Sequence, residues 1–194
     1  VLESLSISGH RSVPSRAVSA RLWSGNLADP NYWTTIQRLP MTKDEWVEVC
    51  GEALAAEGIE HFHPLEICDV GRLCAASSTF PARRLRVPPA HLISNAIMLC
   101  RVLCDLRAAR RPMPVRVNSW YRDSLYNHGI GGVTGSMHLT CGAADVVKPG
   151  FTPSEVADFL ENHPDSDQFG IGRYQRFTHI DIRGMIGRTA PARW

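Results

Sequence analysis

No stretch of the 194 residues is apolar for long enough to cross a bilayer, and the first twenty lack the hydrophobic centre of a secretory signal. Because the sequence opens on Val1 rather than Met, the compartment stays open. No Cys-x-x-Cys pair occurs among Cys50, Cys68, Cys74, Cys100, Cys104 and Cys141, which removes a structural zinc ribbon. A large excess of one sign of charge is also missing. A net charge of +2 argues neither for a nucleic-acid glove nor for an acidic solvating protein, and it leaves the arginines at 83, 84, 86, 107, 110 and 111 as solvated helix ends and loops. There is no internal repeat and no low-complexity segment. What is present is 44% apolar composition, enough for one domain with a buried core and a smaller appendage.

Residues 1–40 show neither a period of 2 nor one of 3.6, and they read as an extended arm whose Trp23, Tyr32 and Trp33 are available to dock on a protein partner. Helical order begins at Thr42, where Thr42 and Glu45 form a capping box. Trp46, Val49, Cys50, Ala53 and Leu54 then share a face until Gly58 stops the helix, predicting helix over 42–57. His61 and His63 alternate as strand ligands would, but Pro64 breaks a strand and no acid or thiolate sits at ligand spacing. A second short helical piece follows, interrupted near Gly71. Pro88 and Pro89 open the longest helix, with Leu92, Ala96, Leu99, Leu103 and Leu106 inward beside a row of Ile93, Ile97, Cys100 and Cys104, and Pro112 is expected to end it. Residues 114–119 alternate as a half-buried strand, and Trp120, Tyr121 and Arg122 stand at its end, where functional side chains are commonly displayed. A loop with Gly129, Gly131, Gly132 and Gly135 follows. No Lys-Ser/Thr or helix start comes after it, which removes a phosphate loop. Residues 143–147 and 177–182 read as strands, with a helix capped by Thr152 and Glu155 between them. Gly170, Gly172 and Gly184 punctuate the flanks of the last strand.

The chemistry collects in residues 136–145. His138 and Asp145 lie seven positions apart across a turn of small residues, and a second imidazole and carboxylate follow at His179 and Asp181. A lone histidine on an apolar strand is more often a hydrogen-bonded core residue than a ligand. Two neutral imidazoles with one carboxylate, however, make the three-ligand open site of catalytic zinc.

Asn118 to Arg122, Asn127, Gly131 with Gly132, Ser136 with His138, and Ala143 with Asp145 fall in one order with suitable gaps. Together they resemble the zinc D-Ala-D-Ala carboxypeptidase family, which shares its fold with phage L-alanyl-D-glutamate endolysins and the hedgehog signalling domain. Gly170, Gly172 and Tyr174, then Phe177, His179, Asp181, Arg183 and Gly184, with Arg193 and Trp194, look like its cell-wall peptidase branch. The similarity covers roughly residues 60 to 194. It implies an α+β fold, with a small antiparallel sheet carrying a zinc site and helices packed on it, over 61–194, preceded by an N-terminal extension over 1–60. It implies His138, Asp145 and His179 as zinc ligands, Arg122 as the arginine that holds a substrate carboxylate or carbonyl, and Ser136 as the serine beside the substrate. Tyr121, next to Arg122, is taken as a further substrate contact. The implied activity is a zinc-dependent peptidase on peptidoglycan stem peptides or cross-links, in a cell envelope or a phage virion.

Two departures from the family pattern matter. The usual glycine three residues after the first ligand is Cys141, which either shifts the turn or places a thiol near the metal. Many members carry a catalytic acid three positions before the last histidine, and Arg176 stands there. Asp181 is the nearest substitute, either taking the proton as general base or orienting His179 by a hydrogen bond. The rival to an enzyme is a non-catalytic structural or binding protein that kept the fold, with or without the zinc.

Overall fold

The computed structural model describes residues 41–68, 85–110 and 112–194. The arm with Trp23, Tyr32 and Trp33, the segment carrying Gly71, Cys74, Arg83 and Arg84, and Arg111 lie outside the described residues.

Helix α1 (Lys43–Ala56) starts on the expected capping box, with Thr42 and Glu45 each bonding the other's backbone N–H, and Gly58 leaves it at φ +67°. Trp46, Cys50 and Leu54 enter the same core as the rest of the molecule, so this helix contributes to that core directly. Helix α2 (Pro64–Cys68) is short. His63 accepts the Leu65 N–H on Nδ1 and stays exposed, while Trp46 Nε1 donates to the Pro64 carbonyl. After a 3-10 turn at Ala90–Leu92, helix α3 (Ile93–Ala108) buries Ile93, Ala96, Leu99, Cys100, Leu103 and Leu106.

Helix α3 ends before the proline expected to stop it, and the cause lies on the far side of the core. Lys148 is fully buried, and its ammonium donates to the carbonyls of Leu106 (2.6 Å), Arg107 (3.2 Å) and Ala109 (2.6 Å), satisfying the acceptors that a helix end leaves bare. Arg110 then turns left-handed at φ +51°.

Strands β1 (Arg116–Ser119), β2 (Ala143–Val147), β3 (Gly170–Arg173), β4 (Thr178–Asp181) and β5 (Ala192–Arg193) form one sheet in the order β1-β2-β4-β3-β5. The first four pair antiparallel as expected, and β5 lies parallel to β3, so the complete sheet is mixed. Helix α4 (Ser124–Gly129), capped by Asp123, takes the start of the anticipated glycine loop. Helix α5 (Pro153–Glu161) has the capping box predicted at Thr152. Helix α5 packs on β3 and β4 and meets α3 on that side.

Register decides where the chemistry goes. Ser119 pairs with Asp145, Asp145 with His179, and His179 with Gly172, while the neighbouring row joins Ala143, Asp181 and Gly170. Side chains alternate between faces, so these two rows share one face and the fully buried Ala144, Val146, Ile171 and Ile180 take the other. An irregularity between Val117 and Ser119 brings Ser119 opposite Asp145. Gly170 and Gly172 are therefore strand positions and not mere punctuation. No helix among the described residues is long and apolar enough to cross a membrane.

Replacing Lys148 by Met keeps the bulk of the stem and strands three carbonyls. The expected loss is about 2–3 kcal/mol of unfolding free energy, read as a lower denaturant midpoint at unchanged m-value.

Candidate metal centre

The first ligand-bearing segment is a 3-10 turn, Met137–Thr140, that runs from Ser136 into Cys141. Trp120, fully buried at the end of β1, braces both its ends: its indole donates to the Cys141 carbonyl (2.8 Å), and its own carbonyl accepts from His138 Nδ1 (2.6 Å). A carbonyl can only accept, so Nδ1 carries the proton. Burial holds the His138 pKa below the usual imidazole value despite Asp145 beside it, so the ring is neutral near pH 7 and Nε2 is a lone pair. That lone pair faces Asp145 Oδ1 at 3.3 Å.

Asp145 Oδ1 also meets His179 Nδ1 at 2.9 Å, and the two imidazole rings sit edge to face with centroids 5.0 Å apart. Burial pushes the Asp145 pKa up, but the two imidazoles beside it, with His179 bonded to Oδ1, outweigh that and hold the carboxyl well below its ordinary range. For His179 burial lowers the pKa, and the bonds to Asp145 and Asp181 raise it past the usual value. The ring thus lies between two carboxylates, with Nε2 at 3.2 Å from Asp181 Oδ2.

Ligand atoms of His138, Asp145 and His179 all lie within 4.8 Å of one another, and all three residues are buried. A lone pair and a carboxylate oxygen facing each other call for positive charge between them, and this donor set of two nitrogens and one oxygen fits a divalent ion with an open position. His138, Asp145 and His179 are the group of this kind found among the described residues.

A comparison with protein families matches residues 73–181, more than half of the chain, to peptidase M15. The chain belongs to the M15 peptidase family. No curated protein matches it. The matched span contains all three candidate ligands together with Arg122, Ser136 and Asp181.

The M15 cleft above the three ligands has a volume of about 430 Å³. Gly131, Gly132, Ser136, Tyr174, Phe177 and Trp194 line it, and Arg122 and Arg183 also reach it. Arg122 is not paired with its neighbour Asp123, which instead holds Arg86 (2.5 Å) and caps α4. Its Nη2 donates to Asp145 Oδ2 (2.6 Å) and its Nε to Ser119 Oγ (3.0 Å). The guanidinium thereby turns the second carboxylate oxygen away from the histidines. Tyr121 does not line the cleft. Neighbouring residues of extended chain point to opposite sides, and Tyr121 enters the core, where burial pushes its phenol up to about 12.

Asp181 is fully buried and does not line the cleft. It accepts from Arg183 Nε (2.8 Å) and Nη2 (2.7 Å) and from the Arg183 backbone (3.1 Å), and its free edge meets His179 Nε2. Of the two roles open to it, this place fits the orienting one. Arg176 is exposed in the turn between β3 and β4 and does not reach the cleft. Cys141 keeps the left-handed backbone of the glycine it replaces, at φ +56°, and its thiol lies in the core, not in the cleft. Trp120, Arg183, Tyr174 and Trp194 belong to the motifs that carry the resemblance, but the sequence assigns none of them a place at the site.

The pairing of Asp181 with His179 predicts that Asp181→Asn weakens divalent-ion affinity by about 10–100-fold, measured by competition with a chromophoric chelator. A group serving only as a base in the cleft would leave that affinity unmoved. Gly170→Ala is expected to act in the same direction, since a Cβ there would press on Asp181 and lie 2.5 Å from Arg183 Nε.

Proposed function

We propose that the chain is a zinc metallopeptidase that hydrolyses peptide bonds in peptidoglycan stem peptides or their cross-links, in the manner of D,D-carboxypeptidases and endopeptidases. The observation that carries this reading is the convergence of His138, Asp145 and His179 under an open cleft in a chain of the M15 family. Zinc held by these three would supply an acidified water, with pKa lowered to roughly 7, and would polarise the carbonyl under attack.

The chain's own residues supply binding and orientation. Arg122 steers Asp145 through Nη2 and offers its remaining edge to a substrate carboxylate or carbonyl, a planar fork suited to that purpose. Ser136 presents a hydroxyl on the cleft wall two residues before the first ligand. Asp181, clamped by Arg183, fixes the His179 ring so that Nδ1 points at Asp145. A cell envelope or a phage virion is the setting that such a substrate implies, and residues 1–40 would then be an arm for a protein partner.

One observation favours a second reading. Among the described residues lining the cleft, Asp145 is the sole carboxylate, and it belongs to the metal cluster. A binding or structural protein that kept the fold and its metal would need no general base, whose loss costs an enzyme on the order of 100-fold or more.

Metal content by emission spectroscopy, combined with digestion of purified muropeptides, separates the readings. The expected outcome is about one zinc per chain and release of shorter peptides, both lost in His138→Ala and the release lost on chelation. Bound zinc with no product from any muropeptide supports the binding protein instead, and a chain that takes up no zinc removes the ligand assignment.

A further inference from the structure

The cleft has a built feature that the metal ligands do not explain. Trp194 and Tyr174 stand together on its wall, and both rings rest on Gly172: a Cβ at that position would lie 2.7 Å from Trp194 Nε1 and 2.9 Å from Tyr174 Cε2. Gly172 is the register partner of His179 across β3 and β4. The absence of a side chain at 172 thus seats the two rings directly beside the third ligand, with the Trp194 ring 5.3 Å from that of His179. The Tyr174 ring is held on its other side by Phe177, stacked at 4.5 Å and 16°.

One hydrogen bond gives this arrangement a direction. Trp194 Nε1 lies 2.9 Å from the Tyr174 hydroxyl. An indole N–H only donates, so the phenol oxygen accepts there and its own proton must point elsewhere. A phenol that accepts a hydrogen bond becomes a better donor. Of the other donors in the cleft, Ser136 and the free edge of Arg122 are assigned above to holding the substrate. Arg122 is engaged by Asp145 and Ser119, and Arg183 by Asp181. Asp181 and Arg176, the two places where an acid was sought, do not reach the cleft at all.

We propose that Tyr174 is a catalytic residue of this site, its hydroxyl donating a hydrogen bond to the carbonyl oxygen of the bound peptide as negative charge develops there, with Trp194 as the positioning residue that aims it. This rests on the peptidase reading above. It asks nothing of the phenol beyond a donor in place before the reaction, which is where such groups act most strongly.

The test uses the zinc-reconstituted chain with two probes: purified peptidoglycan sacculi, followed by the muropeptides released, and a phosphinate analogue of a stem dipeptide, followed by calorimetry. Tyr174→Phe keeps the ring on Phe177 and removes only the hydroxyl. The expected result is a kcat about 100-fold lower with KM within about twofold, and phosphinate binding about 100-fold weaker at unchanged zinc affinity. Trp194→Phe is expected to lose about 10-fold in kcat alone and to add little in the Tyr174→Phe background, because it acts through the phenol. If the wild type turns over sacculi and Tyr174→Phe matches it in kcat and in phosphinate affinity, the assignment is overturned and the peptidase reading stands. A wild type that neither releases muropeptides nor binds the phosphinate overturns both.

Discussion

Asp145 is a carboxylate placed where water cannot solvate it, and a buried charge of that kind must be satisfied on both oxygens or it unfolds its surroundings. Its Oδ2 is taken by Arg122 and its Oδ1 meets His179 Nδ1, with the His138 lone pair facing it at 3.3 Å. Each partner is in turn fixed by something further out: Arg122 by Ser119, His138 by the Trp120 carbonyl, and His179 by Asp181. The irregularity in β1 and the turn around His138 help bring these groups to one carboxylate from the chain after β1, a 3-10 turn and β4. The same division leaves a lone pair and an oxygen facing each other, an arrangement that a cation completes.

The row behind repeats the principle with an ion pair. Asp181 could not be buried alone, and Arg183, two residues on, curls back over it. Space for that guanidinium exists because Gly170 is the cross-strand neighbour, just as Gly172 makes space for Trp194 and Tyr174 one row away. Two glycines in β3 therefore do for this site what larger residues would prevent. Both read in the sequence as breaks at the edge of a strand, because a missing side chain looks the same whether it permits a turn or a close approach.

The departures from the family pattern become intelligible at the same level. Cys141 tolerates a left-handed backbone because its thiol gains a place in the core, where burial, together with Cys68, Cys50 and Cys100 nearby, pushes its pKa far up. Arg176 sits in an exposed turn that a charged side chain suits.

Much of the fold was legible from residues alone. Both capping boxes, the inward face of α3 and the strand carrying Asp145 follow from side-chain chemistry that acts within a few positions, so local pattern suffices to place them. His138, Asp145 and His179 were legible as chemistry for the same reason, because their types and motif spacing survive in one dimension. Only the tertiary structure decided that Tyr121 turns into the core while Arg122 turns to the ligand, that Asp181 is sealed beneath Arg183, and that Lys148 ends a helix some forty residues earlier in the chain. Those outcomes depend on strand register and on which distant backbone a side chain meets, quantities that no local stretch of sequence contains.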